Sequence, residues 1–176
     1  LPGGGAAGPI PDRRAVHAAR PYGPGEIVSG LRGEIKADTV YRPTNTSVIK
    51  HLDLHFSAEK MMFSGIGKNG RWGIIEVGID GKNVKELTPD DQKDIQWFDS
   101  CYLPEDDNII VCSTAGIQGL PCVGGGATMV DLFKVDTKTK KVRQLTFEQD
   151  SDWHPRVLEN GRVMYLRWEY TDTPHY

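Results

Sequence analysis

Long apolar runs are missing from this 176-residue sequence: no stretch of about 18 hydrophobic residues exists to span a bilayer, so membrane insertion by these residues is not expected. A dominant sign of charge is missing as well. Lysine and arginine number 21 against 24 aspartate and glutamate, a formal net charge of -3, and the two signs are interspersed. Without a basic patch to neutralise phosphates, nucleic acid is not an expected partner. The chain opens LPGGGAAGPIPDRR, with neither an initiator methionine nor a basic segment leading into an apolar core, and reads as a processed or trimmed start with no signal peptide in it.

Cysteine is scarce. Cys101, Cys112 and Cys122 form no CxxC pair for a metal knuckle and no CxxCH for covalent haem. Cys112 and Cys122 flank STAGIQGLP, so the pair is a candidate disulfide in an oxidising compartment; the other reading is that Cys112, which ends an apolar run, is a buried thiol. No GxSxG marks a serine nucleophile. The GGGA run at 124–127 lacks the Lys-Ser/Thr of a phosphate loop and precedes a strand-like run, which makes it a flexible insertion.

Amphipathic helical periodicity is absent too, and what is present is strand-like. Residues 1–32 hold five of the eleven prolines and read as an irregular Pro/Gly-rich arm or linker. Residues 33–176 carry short apolar or alternating runs separated by turn signals: VIKHLDLHF, KMMFSGI, WGIIEVGI, VKELT, then WFDSCYL, NIIVCSTA, MVDLFKV, VRQLT. The order repeats. Leu87-Thr88 and Leu145-Thr146 end the two copies 58 residues apart, a spacing stretched by the insertion GIQGLPCVGGGA. A third copy begins at QDSDWHPRVLENGRVMYLRWEY, where Asn160-Gly161 predicts a two-residue hairpin turn with positive φ at both positions. Four antiparallel strands per unit describe a β-propeller blade. The predicted fold class is therefore all-β, a partial β-propeller of about two and a half blades spanning 48–90, 95–148 and, in part, 150–176. A closed propeller needs at least four blades, so these residues are expected to be a fragment or to associate with other blades or protein subunits.

Candidate site residues follow from the repeat. Asp53, Asp99, Asp152 and His154 take nearly equivalent places just before the innermost strand of successive units, where a ligand near the propeller axis meets several blades at once. Cys101 and His175 stand near them in sequence, completing a mixed Asp/His/Cys set for a ligand or a divalent metal; the competing reading has the aspartates capping turns and bonding backbone amides between blades. His51 and His55 are spaced four apart, but on a strand that separation is about 13 Å, so they are not expected to share a metal. Of the four tryptophans, Trp72, Trp97, Trp153 and Trp168, most are expected to pack between blades; exposed ones would suit a glycan ligand.

The blade pattern resembles the Tol-type and dipeptidyl-peptidase-type propellers. LDLHFSAEKMMFS, FDSCYLPEDDNIIVCSTAGIQGLPCVGG and VRQLTFEQDSDWHPRVLENGRVMYLRWEYTDTPHY are more closely similar to the middle domain of the hydrazine synthase alpha subunit family. That resemblance implies an exported, periplasmic propeller acting as a scaffold or binding module, not catalytic by itself. It also implies a second reading, a subunit of a haem-dependent oxidoreductase complex whose haem-binding segments lie outside these residues. A carbohydrate-binding propeller is a third. No cofactor is predicted within the chain itself, with haem or a divalent metal left to the complete protein.

Overall fold

The computed structural model describes residues 38–44, 48–104, 107–120 and 124–168, and the backbone of two short strands at 16–18 and 27–29. Among them there is no helix. Strands β1 (Val16–Ala18), β2 (Ile27–Ser29) and β3 (Asp38–Tyr41) form one antiparallel sheet. Two of these strands lie within the Pro/Gly-rich residues 1–32, where strands of three residues are too short to display a period of two.

Two four-stranded antiparallel meanders follow. The first runs β4 (Lys50–Leu54), β5 (Lys60–Ile66), β6 (Trp72–Gly78) and β7 (Lys85–Glu86); the second runs β8 (Trp97–Tyr102), β9 (Asn108–Ser113), β10 (Asp131–Asp136) and β11 (Val142–Gln144). The hairpin of β12 (Ser151–Val157) and β13 (Val163–Trp168) comes last.

The middle strands of each meander are continuous apolar runs because both of their faces are covered. Met62 of β5 and Ile74 of β6 join Trp97, Ile109, Val111 and Phe133 in the core between the two meanders. Their sequence neighbours Met61, Phe63, Ile75 and Val77 point the other way, onto Val40, Tyr41 and Leu52. In the second meander Ile110, Cys112 and Leu132 face away from the first and pack with Trp153, Val157 and Tyr165 of the final hairpin. Each sheet is thus sandwiched by the next, and burial of each such side chain contributes about 1.5–3 kcal/mol.

The repeated Leu-Thr ends have one structural role. Leu87 N–H donates to the Ile74 carbonyl (2.7 Å), while the Thr88 hydroxyl accepts from Ile74 N–H (3.1 Å). In the second meander Leu145 bonds the Leu132 carbonyl (2.8 Å) and the Thr146 hydroxyl accepts from Leu132 N–H (3.0 Å). The threonine side chain stands in where the short outer strand gives out, so that the buried N–H it leaves behind stays paired.

The expected two-residue Asn-Gly turn is not what joins β12 to β13. Gly161 has φ 78° but Asn160 does not have positive φ. Gly161 N–H closes on the Leu158 carbonyl (2.9 Å), Leu158 N–H on the Arg162 carbonyl (2.8 Å), and the Asn160 side-chain oxygen accepts from Arg162 N–H (3.1 Å). The loop is a longer turn with a left-handed glycine at its end. An Asn side chain that bonds the backbone two residues on stabilises this form without itself turning left-handed.

Candidate functional site

The first strands of the three units, β4, β8 and β12, lie beside one another. Tyr102 N–H on β8 reaches the Asp53 carboxylate on β4 (3.0 Å), and His154 N–H on β12 reaches the Asp99 carboxylate on β8 (2.9 Å). In meanders arranged around an axis, the first strands of successive units lie innermost and side by side.

Each of these strands carries an irregularity at the same place. The register slips between Lys50 and Asp53 on β4, between Phe98 and Ser100 on β8, and between Trp153 and Arg156 on β12. The bulged residues are His51, Asp99 and His154, with φ of 52°, 50° and 54°. Left-handed backbone at a non-glycine residue costs about 1–2 kcal/mol each time. Pro155, which has no N–H to offer a ladder, is accommodated inside the third bulge.

The three bulges aim their side chains at one point, where one donor atom from each of His51, Asp99 and His154 lies within 4.8 Å of the others. His154 Nδ1 lies 2.5 Å from Asp99 Oδ2, while Arg156 stands 3.5 Å from Oδ1. The carboxylate is almost wholly buried, with 2% of its side chain exposed, whereas His154 is 47% exposed at the mouth. The Ser64 hydroxyl, from β5, ties the first unit in: it accepts Asp99 N–H (2.8 Å) and lies 3.1 Å from His51 Nδ1. The His51 and His154 rings meet edge to face with centroids 5.9 Å apart.

Burial pushes the His51 pKa below its ordinary value; Asp99 opposes that shift, and His154, Lys50 and Arg156 reinforce it. Both lowering effects together favour the uncharged ring.

Of the residues expected from the sequence, Asp99 and His154 belong to this cluster. Asp53 and Asp152 do not occupy equivalent places: they lie two residues after one bulge and two before another, on the innermost strands themselves rather than ahead of them. Asp53 receives Tyr102 N–H. Asp152, with no exposed surface, is held by a two-point fork from Arg167 (3.0 and 3.1 Å). Asp53 thus bonds a backbone amide of the next sheet, whereas Asp152 bonds a side chain of its own hairpin.

Cys101 is buried in the core facing the last hairpin; burial, with Asp53 adding to it, pushes its thiol up to about 12, so it is no ready ligand. Cys112 is a free thiol without exposed surface, likewise pushed up by burial, and Cys122 and His175 lie outside the described residues. His55 bonds Ser57 in the following turn (2.9 Å) and is no partner of His51.

Three members of the site went unanticipated: His51, Ser64 and Arg156. The signal for the first was available. Aligning KHLDL, FDSCY and WHPRV on their second residue superposes His51, Asp99 and His154.

No family model matches the chain, and no curated protein matches it in sequence. Among solved structures, TolB from Acinetobacter baumannii shares the fold over 82% of this chain and 32% of its own length, with TM-score 0.58 at 16% identity. Hydrazine synthase from Kuenenia stuttgartiensis does so over 81% of this chain and 24% of its own, with TM-score 0.65 at 13% identity. The fold is that of a partial β-propeller. At these identities the likeness is one of fold alone, and the chain spans about a third or less of the structures it matches. In that fold the first strand of each blade lies innermost, which is the place that β4, β8 and β12 take here.

Proposed function

We propose that this chain is a propeller scaffold that binds a small ligand at the inner end of its converging first strands and does not catalyse a reaction by itself. One observation carries the reading: three successive blades each use a strained bulge to place one polar side chain, His51, Asp99 and His154, at a single point. Such strain persists where surrounding structure enforces it and concentrates at binding sites. Among the described residues, the neighbouring carboxylates are absorbed structurally, Asp152 by Arg167 and Asp53 by a backbone amide, which leaves no second carboxylate in position for acid–base chemistry. An exported location is supported by the likeness to TolB, and the scaffold role by the two-sided burial of the central strands.

Nitrogen-15 NMR of the chain, titrated with fragments bearing carboxylate, amine or sugar groups, tests the reading. Shifts should centre on β4, β8 and β12. Shifts centred on the outer strands β7 and β11 would overturn it, and a Soret band in the natively purified protein would overturn its non-catalytic part in favour of a haem enzyme.

A further inference from the structure

We infer that His51, Asp99 and His154 together hold one divalent first-row transition-metal ion, shared among three blades. The inference rests on the reading that this mouth is the binding locus, and it names the ligand class. Two imidazoles and one carboxylate are the donor set that suits zinc, cobalt, nickel or iron(II), whereas calcium and magnesium prefer all-oxygen sites.

The geometry is close to what such an ion needs. Metal–nitrogen and metal–oxygen bonds of about 2.0–2.2 Å place neighbouring ligand atoms roughly 3–4.4 Å apart. The three donors lie within 4.8 Å of one another; the contact between His154 Nδ1 and Asp99 Oδ2, at 2.5 Å, is a direct one that the ion would open as the ligands spread around it. Their supports are of the kind that orient ligands in metal sites. Ser64 fixes the His51 ring (3.1 Å), and Arg156 lies beside the far carboxylate oxygen (3.5 Å).

Charge favours the ion as well. Asp99 is a carboxylate withdrawn from water, with the half-exposed Arg156 3.5 Å from one of its oxygens, and a dication at the other oxygen adds to the compensation of that burial. The half-exposed His154 leaves one side of the ion open to water or to an anionic group of an incoming ligand. The donors come from β4, β8 and β12, so the ion also staples three blades at their inner strands.

Cobalt(II) and zinc(II) titrations of the full chain, after dialysis against a chelator, test the inference. One equivalent should bind, with cobalt giving visible d–d absorption and zinc raising the unfolding temperature. His154→Ala, which alters a half-exposed side chain and should leave the circular dichroism unchanged, is expected to weaken binding at least about tenfold, as is the shape-conserving Asp99→Asn. Unchanged affinity in His154→Ala, or no binding below millimolar cobalt, overturns the site. If fragments still shift β4, β8 and β12 in that case, the binding locus stands without its metal; if they do not, both fall together.

Discussion

The Asp99 carboxylate accepts the backbone N–H of His154 at 2.9 Å and meets the ring of the same residue at 2.5 Å, across the boundary between two sheets. One buried side chain thereby fixes both the path of the neighbouring inner strand and the orientation of its bulged histidine. The bond pattern ties β12 to β8 near the point where β8 is itself tied to β5 through Ser64.

Replacing Asp99 by alanine should therefore destabilise the junction between the last two units by about 1–3 kcal/mol, since His154 N–H loses its acceptor. An asparagine at the same position can keep that one bond and the left-handed backbone, for which its side chain is well suited, so Asp99→Asn should lose less. Urea unfolding of the two variants, read at the Trp153 and Trp168 pair of the last hairpin (6.3 Å between rings), measures the difference. Equal losses would mean that the charge, and not the bond to His154 N–H, is what holds the junction.

Most of the fold was legible because its physics is local. Apolar runs such as KMMFSGI and NIIVCS mark strands covered on both faces, and the recurring Leu-Thr marks the place where a hydroxyl replaces a missing ladder bond. The site was half legible. Asp99 and His154 stand out by chemistry, but His51 belongs with them only through a bulge, and a one-residue insertion in a ladder leaves no trace in a period of two. The same slip made Asp53 look equivalent to Asp99. The Asn160-Gly161 turn was misjudged for a related reason: the dipeptide fixes that a turn occurs, while the bond from Arg162 N–H to the Asn160 side chain decides its length.

Thr88 and Thr146 should share one effect, to which Thr146 adds the loss of its own bond to the Asp131 carboxylate (3.3 Å). Changing either to valine keeps the volume but strands the N–H of Ile74 or of Leu132, both buried, at a cost of about 1–3 kcal/mol. The two positions sit in different sheets and bond different strands, so the double variant should lose the sum to within about 0.5 kcal/mol. Chemical denaturation of the single and double variants checks this, and a larger shortfall from additivity would show that the two meanders communicate through their outer edges.

Glu76 makes the stability pH-dependent. Burial alone would raise its pKa, but bonds from Lys85 (2.9 Å) and the Tyr102 hydroxyl (2.9 Å), with the charge of Lys60 (3.3 Å), outweigh burial and leave it below the ordinary 4.5. A carboxyl whose pKa is lower folded than unfolded contributes stability that is complete above the unfolded value and is lost as pH falls through the folded one. Glu86 and Asp131, raised by burial, act in the opposite sense and gain relative stability as pH falls. The informative quantity is thus the difference between wild type and Glu76→Gln. It should be constant near neutrality and shrink from about pH 4.5 downwards, as followed by thermal unfolding across that range.

Gly81 and Gly161 share a backbone conformation, φ 77° and 78°, yet should respond differently to a methyl group. A Cβ at Gly161 meets nothing within 4 Å, so Gly161→Ala should cost only the left-handed penalty, about 1–2 kcal/mol. At Gly81 the added carbon would stand 2.3 Å from the Val40 carbonyl oxygen, a backbone atom of β3 that cannot swing aside. Gly81→Ala must therefore either bear the same penalty plus a clash or push β3 off the first meander. The second outcome would uncover Met61 and Phe63, whose partners include Val40 and Tyr41, and add the loss of their burial. Its unfolding midpoint should fall well below that of Gly161→Ala, with hydrogen exchange at β5 rising in Gly81→Ala alone; equal midpoints would show that β3 docks too loosely to feel the methyl group.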